Sequence, residues 1–239
     1  MQVSLAMPCQ ECKFGWILTP QGAKPCECKR IAQREKLIEK ASIPARYRHC
    51  TIDNYHPQGS PESNYFLSQA TAKIIAARVI SEFPTEQGLL LQGHCGVGKT
   101  HLAVGILHSL IDRNMEAGLF CDLTALFTKI QSTWNPHSSD TTLDILTPIL
   151  QSPYLVLDEL GGVRTTQWSQ DLLMQVVNAR YTANLLTIIT TNYLDTEAGS
   201  AEILTDRVGE RIRSRLKQMA RPVQILGTDY RSSRESPRL

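Results

Sequence analysis

From residue 88 onward, short apolar runs alternate with longer amphipathic stretches. LLLQ (89–92) reads as a short strand, followed by a Gly-rich turn and the helix pattern THLAVGILHSLIDRN (100–114). GLFCDLTALFTKIQ (118–131) repeats the order of strand then helix, and residues 132–141 form a polar loop. YLVLDEL (154–160) is a continuous apolar run of the buried-strand type, 167–181 is helical, and TIITTN (187–192) is a further strand. Strands alternating with helices predict an α/β fold with a mainly parallel sheet covered on both faces.

Upstream, KRIAQREKLIEKA (29–41) is charged, rich in helix formers and free of Gly and Pro, which predicts a helix. Residues 42–64 carry Pro44, Pro57, Gly59 and Pro61 and read as an irregular connector; YFLSQATAKIIAARVISEF (65–83) reads as a helix. The expected organisation is a cysteine-rich unit with its helix over 1–41, a connector over 42–64, an ATPase domain over 65–231 and a disordered tail over 232–239.

The 239 residues suffice for one α/β domain and a small appendage, and 42% hydrophobic with 20% charged residues is an ordinary globular balance. No run is long and apolar enough for a membrane helix, and residues 1–9 lack the charged and apolar regions of a secretion signal, so a cytoplasmic protein is expected. The net charge of +2 is unevenly spread. Residues 1–50 hold nine Lys/Arg against four Asp/Glu, as do residues 204–239, which leaves the middle acidic. Basic ends on an acidic core fit contact with a polyanion, or simply solvated charge.

Gly93-His94-Cys95-Gly96-Val97-Gly98-Lys99-Thr100 fits the P-loop pattern, with His101 directly after it. Its glycines let backbone N–H groups turn toward phosphate oxygens, and the following helix directs its positive end there. Lys99 would reach the β- and γ-phosphates, and the Thr100 hydroxyl would ligate Mg²⁺. An apolar strand then delivers Asp158 and Glu159 to its C-terminal end, where ligands bind in α/β sheets. Asp158 would be a second Mg²⁺ ligand, directly or through water, and Glu159 could orient or deprotonate the attacking water. Together these predict a Mg·ATP site. Thr190-Thr191-Asn192 ends a further strand, where a polar side chain can touch the γ-phosphate or simply make a turn. Arg207, Arg211, Arg213 and Arg215 read as one helix, with Arg211 and Arg215 on a shared face. Such a helix supplies an arginine finger or a plain basic surface.

Four of the seven cysteines, Cys9, Cys12, Cys26 and Cys28, crowd one short segment. Four thiolates so close suit tetrahedral Zn²⁺, which would replace the hydrophobic core that so short a segment lacks. An iron–sulfur cluster or free thiols are the other readings. Cys95 and Cys121 read as packing residues.

Six segments in this order, IPARYRHCTIDNY, GHCGVGKTHLAVGI, LVLDELGG, NARYTANLLTIITTNY, RVGERIRSRL and GTDYR, resemble the AAA+ ATPases of the DnaC/DnaI helicase-loader and IstB transposition-helper group. The resemblance runs from about Ile43 to Arg231. It implies that Asn192 is sensor 1, that Arg211 or Arg215 is a finger acting on a neighbour's ATP, and that Arg231 is the sensor 2 arginine. It also places the segment around Tyr55-His56-Pro57 beside the adenine. ATP would then lie between subunits, with assembly into an oligomer or filament. Within this group the cysteine cluster favours a loader, which implies a replicative DNA helicase and single-stranded DNA as partners. A transposition helper, a non-hydrolysing adaptor and a small-molecule kinase are the rival expectations; the intact Glu159 speaks against the adaptor, and the C-terminal arginines against the kinase.

Overall fold

The computed structural model describes residues 9, 12, 15–20, 22–85, 87–135, 139–164, 166–195 and 202–232. Of the tail expected at 232–239, residues 233–239 lie outside them.

The chain opens with a two-stranded antiparallel hairpin, β1 (Trp16–Thr19) and β2 (Gly22–Pro25), and continues into α1 (Glu27–Lys40). A single 3-10 turn (Ala45–Tyr47) follows, then α2 (Asn64–Glu82), whose start is fixed by the Ser63 hydroxyl accepting from Phe66 N. Next come β3 (Gly88–Gln92), α3 (Lys99–Asn114), β4 (Leu119–Asp122), α4 (Leu123–Ser132), α5 (Thr142–Gln151), β5 (Tyr154–Leu160), α6 (Gln167–Thr182), β6 (Leu186–Thr191), α7 (Leu204–Val208), α8 (Glu210–Met219) and β7 (Ala220–Gln224).

The five later strands form one sheet in the order β4-β5-β6-β3-β7, every neighbouring pair parallel. Its two faces follow the alternation of the strands. Leu89, Leu91, Val156 and Ile188 join one core with α2 and α3; Leu90, Leu155, Leu157 and Ile189 join another with α4, α5, α6 and α8. Burying each such side chain contributes about 1.5–3 kcal/mol. Covering on both faces is why β3, β5 and β6 read as apolar runs instead of alternating. This is the AAA+ P-loop fold. All these strands are parallel, so their C-terminal ends share one edge, and the loops after β3, β5 and β6 meet there.

Residues 43–55 pack against this body. Ile43, Cys50 and Tyr55 are buried in the α2–α3 core, and Phe120 N donates to Ala41 O at 2.8 Å.

The structure adds elements that the pattern did not announce. The hairpin β1–β2 lies in the cysteine segment. α5 forms despite Pro148, helped by a capping box between Thr141 and Asp144. β7 is an edge strand, which is where Pro222 is tolerated. The expected single arginine helix is corrected. Gly209, at φ 84°, breaks it, so Arg207 ends on α7 while Arg211, Arg213 and Arg215 lie on α8.

Candidate functional site

The P-loop leaves the end of β3 and turns into α3 at Gly98, whose φ of 93° is left-handed. A side chain there is excluded twice, because a Cβ would also lie 2.8 Å from Tyr55 Cε2. Lys99 is 7% exposed, and its Nζ donates to Gly93 O at 2.9 Å and His94 O at 2.7 Å. Burial lowers its pKa, opposed by the nearby Cys95, Asp158 and Glu159. The ammonium thus rests on the loop's own carbonyls, beside the concavity that the loop encloses.

Asp158 is buried at the end of β5. Its Oδ1 accepts from Thr100 Oγ1 at 3.0 Å and from Thr190 Oγ1 at 2.6 Å. Burial raises its pKa, and the two hydroxyls pull it back down. The next residue is set differently. The β5–β6 register shifts between Leu157 and Leu160, and Glu159 takes a φ of 61°. That conformation is costly for a residue with a Cβ, and such strain clusters at functional sites. Its effect here is to bury Asp158 and leave Glu159 exposed, facing the cavity. Glu159 N donates to Thr190 Oγ1 at 3.0 Å.

A cavity of about 680 Å³ opens over this edge. Cys95 through His101 line it, with Glu159, Thr190, Asn192 and Arg231. Gly93 and His94 contribute the carbonyls under Lys99. His101 is held by Asn54 Oδ1 at 2.7 Å and Thr51 O at 3.1 Å, and burial keeps its pKa below the usual 6.5. Tyr55 and His56 line it as well; the Tyr55 hydroxyl donates to Val97 O at 3.4 Å and its ring lies edge-on to His101 at 5.5 Å. Arg231 arrives on the strap after β7, where Tyr230 N donates to Gly96 O at 3.0 Å. Cys95 is exposed on the loop, which corrects its reading as a packing residue; Cys121 is buried as expected. Thr190, named in the sequence only as part of a strand end, takes a role that its pattern does not announce, the bond to Asp158. A threonine near a strand end is an ordinary β-former, and only the tertiary contact with Asp158 marks it.

The arginines separate by environment. Arg207 donates to Gly161 O at 2.8 Å and lies over the Tyr193 ring at 4.9 Å, so it fastens α7 to the loop after Glu159. Arg213 is 5% exposed and ion-paired with Asp195. Arg215 lies over the Tyr181 ring at 4.8 Å, whereas Arg211 is exposed. Neither Arg211 nor Arg215 lines the cavity of its own chain.

At the other end of the chain, the Sγ atoms of Cys9, Cys12, Cys26 and Cys28 all lie within 4.8 Å of one another. Cys9 and Cys26 are 3.8 Å apart, and Cys12 and Cys28 are 3.4 Å apart. Tetrahedral zinc with Zn–S bonds of about 2.3 Å requires sulfurs ~3.8 Å apart, so the cluster fits that ion. The hairpin makes this possible by returning Cys26 beside Gly15, where Cys26 N donates to Gly15 O at 2.8 Å. Within the cluster the Cys28 backbone N–H lowers the Cys26 thiol pKa, while Cys12 and Cys26 push the Cys28 thiol up to about 12.

Comparisons with known proteins show which family the chain belongs to. The family model for IstB-like ATP binding proteins matches residues 54–237. The protein YdaV of Escherichia coli (strain K12) is 28% identical over 205 residues, covering 84% of this chain and 76% of YdaV. The replicative helicase loader DnaC of the same strain is 22% identical over 189 residues, covering 79% of this chain and 71% of DnaC. A crystal structure of the DnaC helicase loader superposes with a TM-score of 0.65 at 31% identity, covering 77% of this chain and all of that one (100%). A P-loop, a buried aspartate beside an outward glutamate, and a match across most of the chain converge: this chain belongs to the family of IstB-like ATP-binding proteins.

Proposed function

We propose that this protein is an ATPase that loads a replicative DNA helicase onto single-stranded DNA. The observation that carries the proposal is the pairing of a four-cysteine unit with an ATPase body related to DnaC. The unit spans residues 1–41, with a connector over 42–64 and the ATPase domain over 65–231.

In this reading the P-loop amides and Lys99 hold the triphosphate of ATP. A magnesium ion would be held by Thr100 and Asp158 and would neutralise charge on the β- and γ-phosphates. Thr190 keeps Asp158 oriented. Glu159 accepts a proton from the attacking water, Asn192 positions that water, and Arg231 reaches the γ-phosphate from the strap. The finger comes from a neighbouring subunit, and Arg211 is the better placed of the two arginines because its side chain is exposed. Hydrolysis therefore requires assembly into an oligomer or filament. Zinc would hold the cysteine unit together, leaving the hairpin and α1 to grip the helicase. For DNA, the chain offers basic terminal regions and Trp134, which is 61% exposed with its ring edge-on to Trp168 at 5.1 Å. An exposed indole is a platform on which a base can stack. Among the described residues no helix is long and apolar enough to cross a membrane, which suits a protein working in the cytoplasm.

The second reading is a transposition helper that delivers a transposase to DNA; what supports it is the match of residues 54–237 to the model for IstB-like ATP binding proteins. Size-exclusion chromatography with the replicative helicase of the same cell, with and without ATP, separates them. A complex that is lost on the double substitution Cys26→Ser/Cys28→Ser supports the loader. No complex in any nucleotide state favours the transposition helper.

A further inference from the structure

Two glutamines form a ladder beside the cavity that the catalytic roles leave unused. Gln69, on α2, is 1% exposed. Its Oε1 accepts from Gln58 N at 2.8 Å, and its Nε2 donates to Leu226 O at 2.8 Å and to Gln58 Oε1 at 3.2 Å. Gln58 Oε1 also accepts from Thr228 N at 3.2 Å. Two N–H donors converge on that oxygen, which fixes the orientation of the Gln58 carboxamide. Its amino group is left as the free end, and among the described residues no hydrogen bond from Gln58 Nε2 is found. Both glutamines line the cavity.

The ladder is pressed between the P-loop and the strap. A Cβ on Gly227 would lie 2.5 Å from Gln69 Nε2, 2.7 Å from Gln58 Oε1 and 3.5 Å from Val97 Cγ1. Only glycine lets the strap pass so near. Ser68, one residue before Gln69, adds a second pair of bonds: its Oγ donates to Gln224 O at 2.9 Å and accepts from Leu226 N at 3.0 Å. A buried amide satisfied at both ends is expensive to misplace, so this end of the cavity is rigid. Glu159, Thr190 and Asn192 line the same cavity as the two glutamines, so a nucleotide whose phosphates sit on the P-loop would have its nucleoside within the remaining lining.

We propose that Gln58 reads the nucleobase, donating its amino N–H to a ring nitrogen of adenine, and that Gln69 is the positioning residue that aims it. The ring nitrogens of adenine are acceptors, so a fixed donor suits them. The same carboxamide accepts from Thr228 on the strap that leads to Arg231, so base contact and strap position share one side chain. This rests on the ATP-site reading above.

The test compares affinities of the full-length protein for Mg·ATP and for Mg·tripolyphosphate, which has the phosphates but no base, by isothermal titration. Gln58→Glu keeps an oxygen toward Thr228 and removes the donor; Gln58→Met removes both. Any charge effect on the phosphates moves both ligands alike, so the informative quantity is the ratio of the two Kd values. The expected result is that ATP binds the unsubstituted protein more tightly than tripolyphosphate, and that Kd(ATP)/Kd(tripolyphosphate) rises about tenfold in both variants, as for loss of one hydrogen bond. Gln69→Met should raise the same ratio through loss of aim. A ratio unchanged in both Gln58 variants overturns the proposal while leaving the ATP site intact. So does equal affinity of the unsubstituted protein for the two ligands. If the unsubstituted protein binds neither ligand, the ATP-site reading itself fails, and the proposal with it.

Discussion

Thr190 donates its hydroxyl proton to Asp158 Oδ1 at 2.6 Å, and the same oxygen of Thr190 accepts the Glu159 backbone N–H at 3.0 Å. One side chain on β6 thus fixes both acidic residues at the end of β5. It orients the buried carboxylate and holds the backbone whose left-handed turn sends Glu159 toward the cavity.

Thr190→Val keeps the shape and removes both bonds. We expect ATP turnover to fall about 10- to 100-fold, the usual cost of losing a partner that orients a metal ligand. Steady-state assays across magnesium concentrations check this. Part of the loss should be recovered at high magnesium, because Thr100 still contacts Asp158 at 3.0 Å.

The two arginines of α8 should behave unequally. Arg211→Ala should lower turnover about a thousandfold, in the range of arginine fingers, whereas Arg215→Ala should have a small effect. Mixing Arg211→Ala with Glu159→Gln should restore activity, since each variant supplies what its neighbour lacks. No recovery on mixing would place the finger elsewhere.

For the cysteine cluster, metal analysis of the purified protein should find one zinc per chain, and Cys12→Ser should abolish it. The β1–β2 hairpin is too small to hold itself without the metal, so proteolysis should then cut within the first 30 residues or so. The five-stranded body should keep its unfolding midpoint.

His108 gives a stability change with a definite sign. It is 5% exposed, Nδ1 lies 2.9 Å from Cys50 O, and Nε2 has no hydrogen-bond partner among the described residues. Burial holds its pKa below the ordinary 6.5. Below pH 6.5 the unfolded chain takes up a proton that the folded chain refuses. Stability is therefore full above that value and declines as pH falls toward the folded pKa. Urea midpoints should drop between about pH 7.5 and 5.5, and the drop should shrink in His108→Gln; His101, also held low by burial, retains its share.

The glycine-rich turn after β3 and the Asp158–Glu159 pair at the end of β5 were legible in the sequence, because glycine spacing and an apolar run announce them. Only glycine serves at Gly98, and only an apolar strand can bury Asp158 while presenting Glu159. The strands β3, β5 and β6 were legible because burial on both faces leaves them uniformly apolar. What was hidden depends on contacts made across the fold. Thr190 and the Gln58–Gln69 ladder are polar residues of common type until partners distant in sequence meet them. β7 carries Pro222 and two exposed side chains, Arg221 and Gln224, so its pattern is weak. α5 was masked by Pro148, and the arginine helix was read as continuous across Gly209, whose φ of 84° ends α7.

The central claim is that Glu159 serves hydrolysis at this cavity. The most direct measurement is ADP release by the purified protein with magnesium and single-stranded DNA, compared with Glu159→Gln, alongside ATP binding by both. The account predicts steady turnover by the unsubstituted protein, a loss of at least about 100-fold in Glu159→Gln, and undiminished ATP binding. Equal turnover by the two proteins would contradict it.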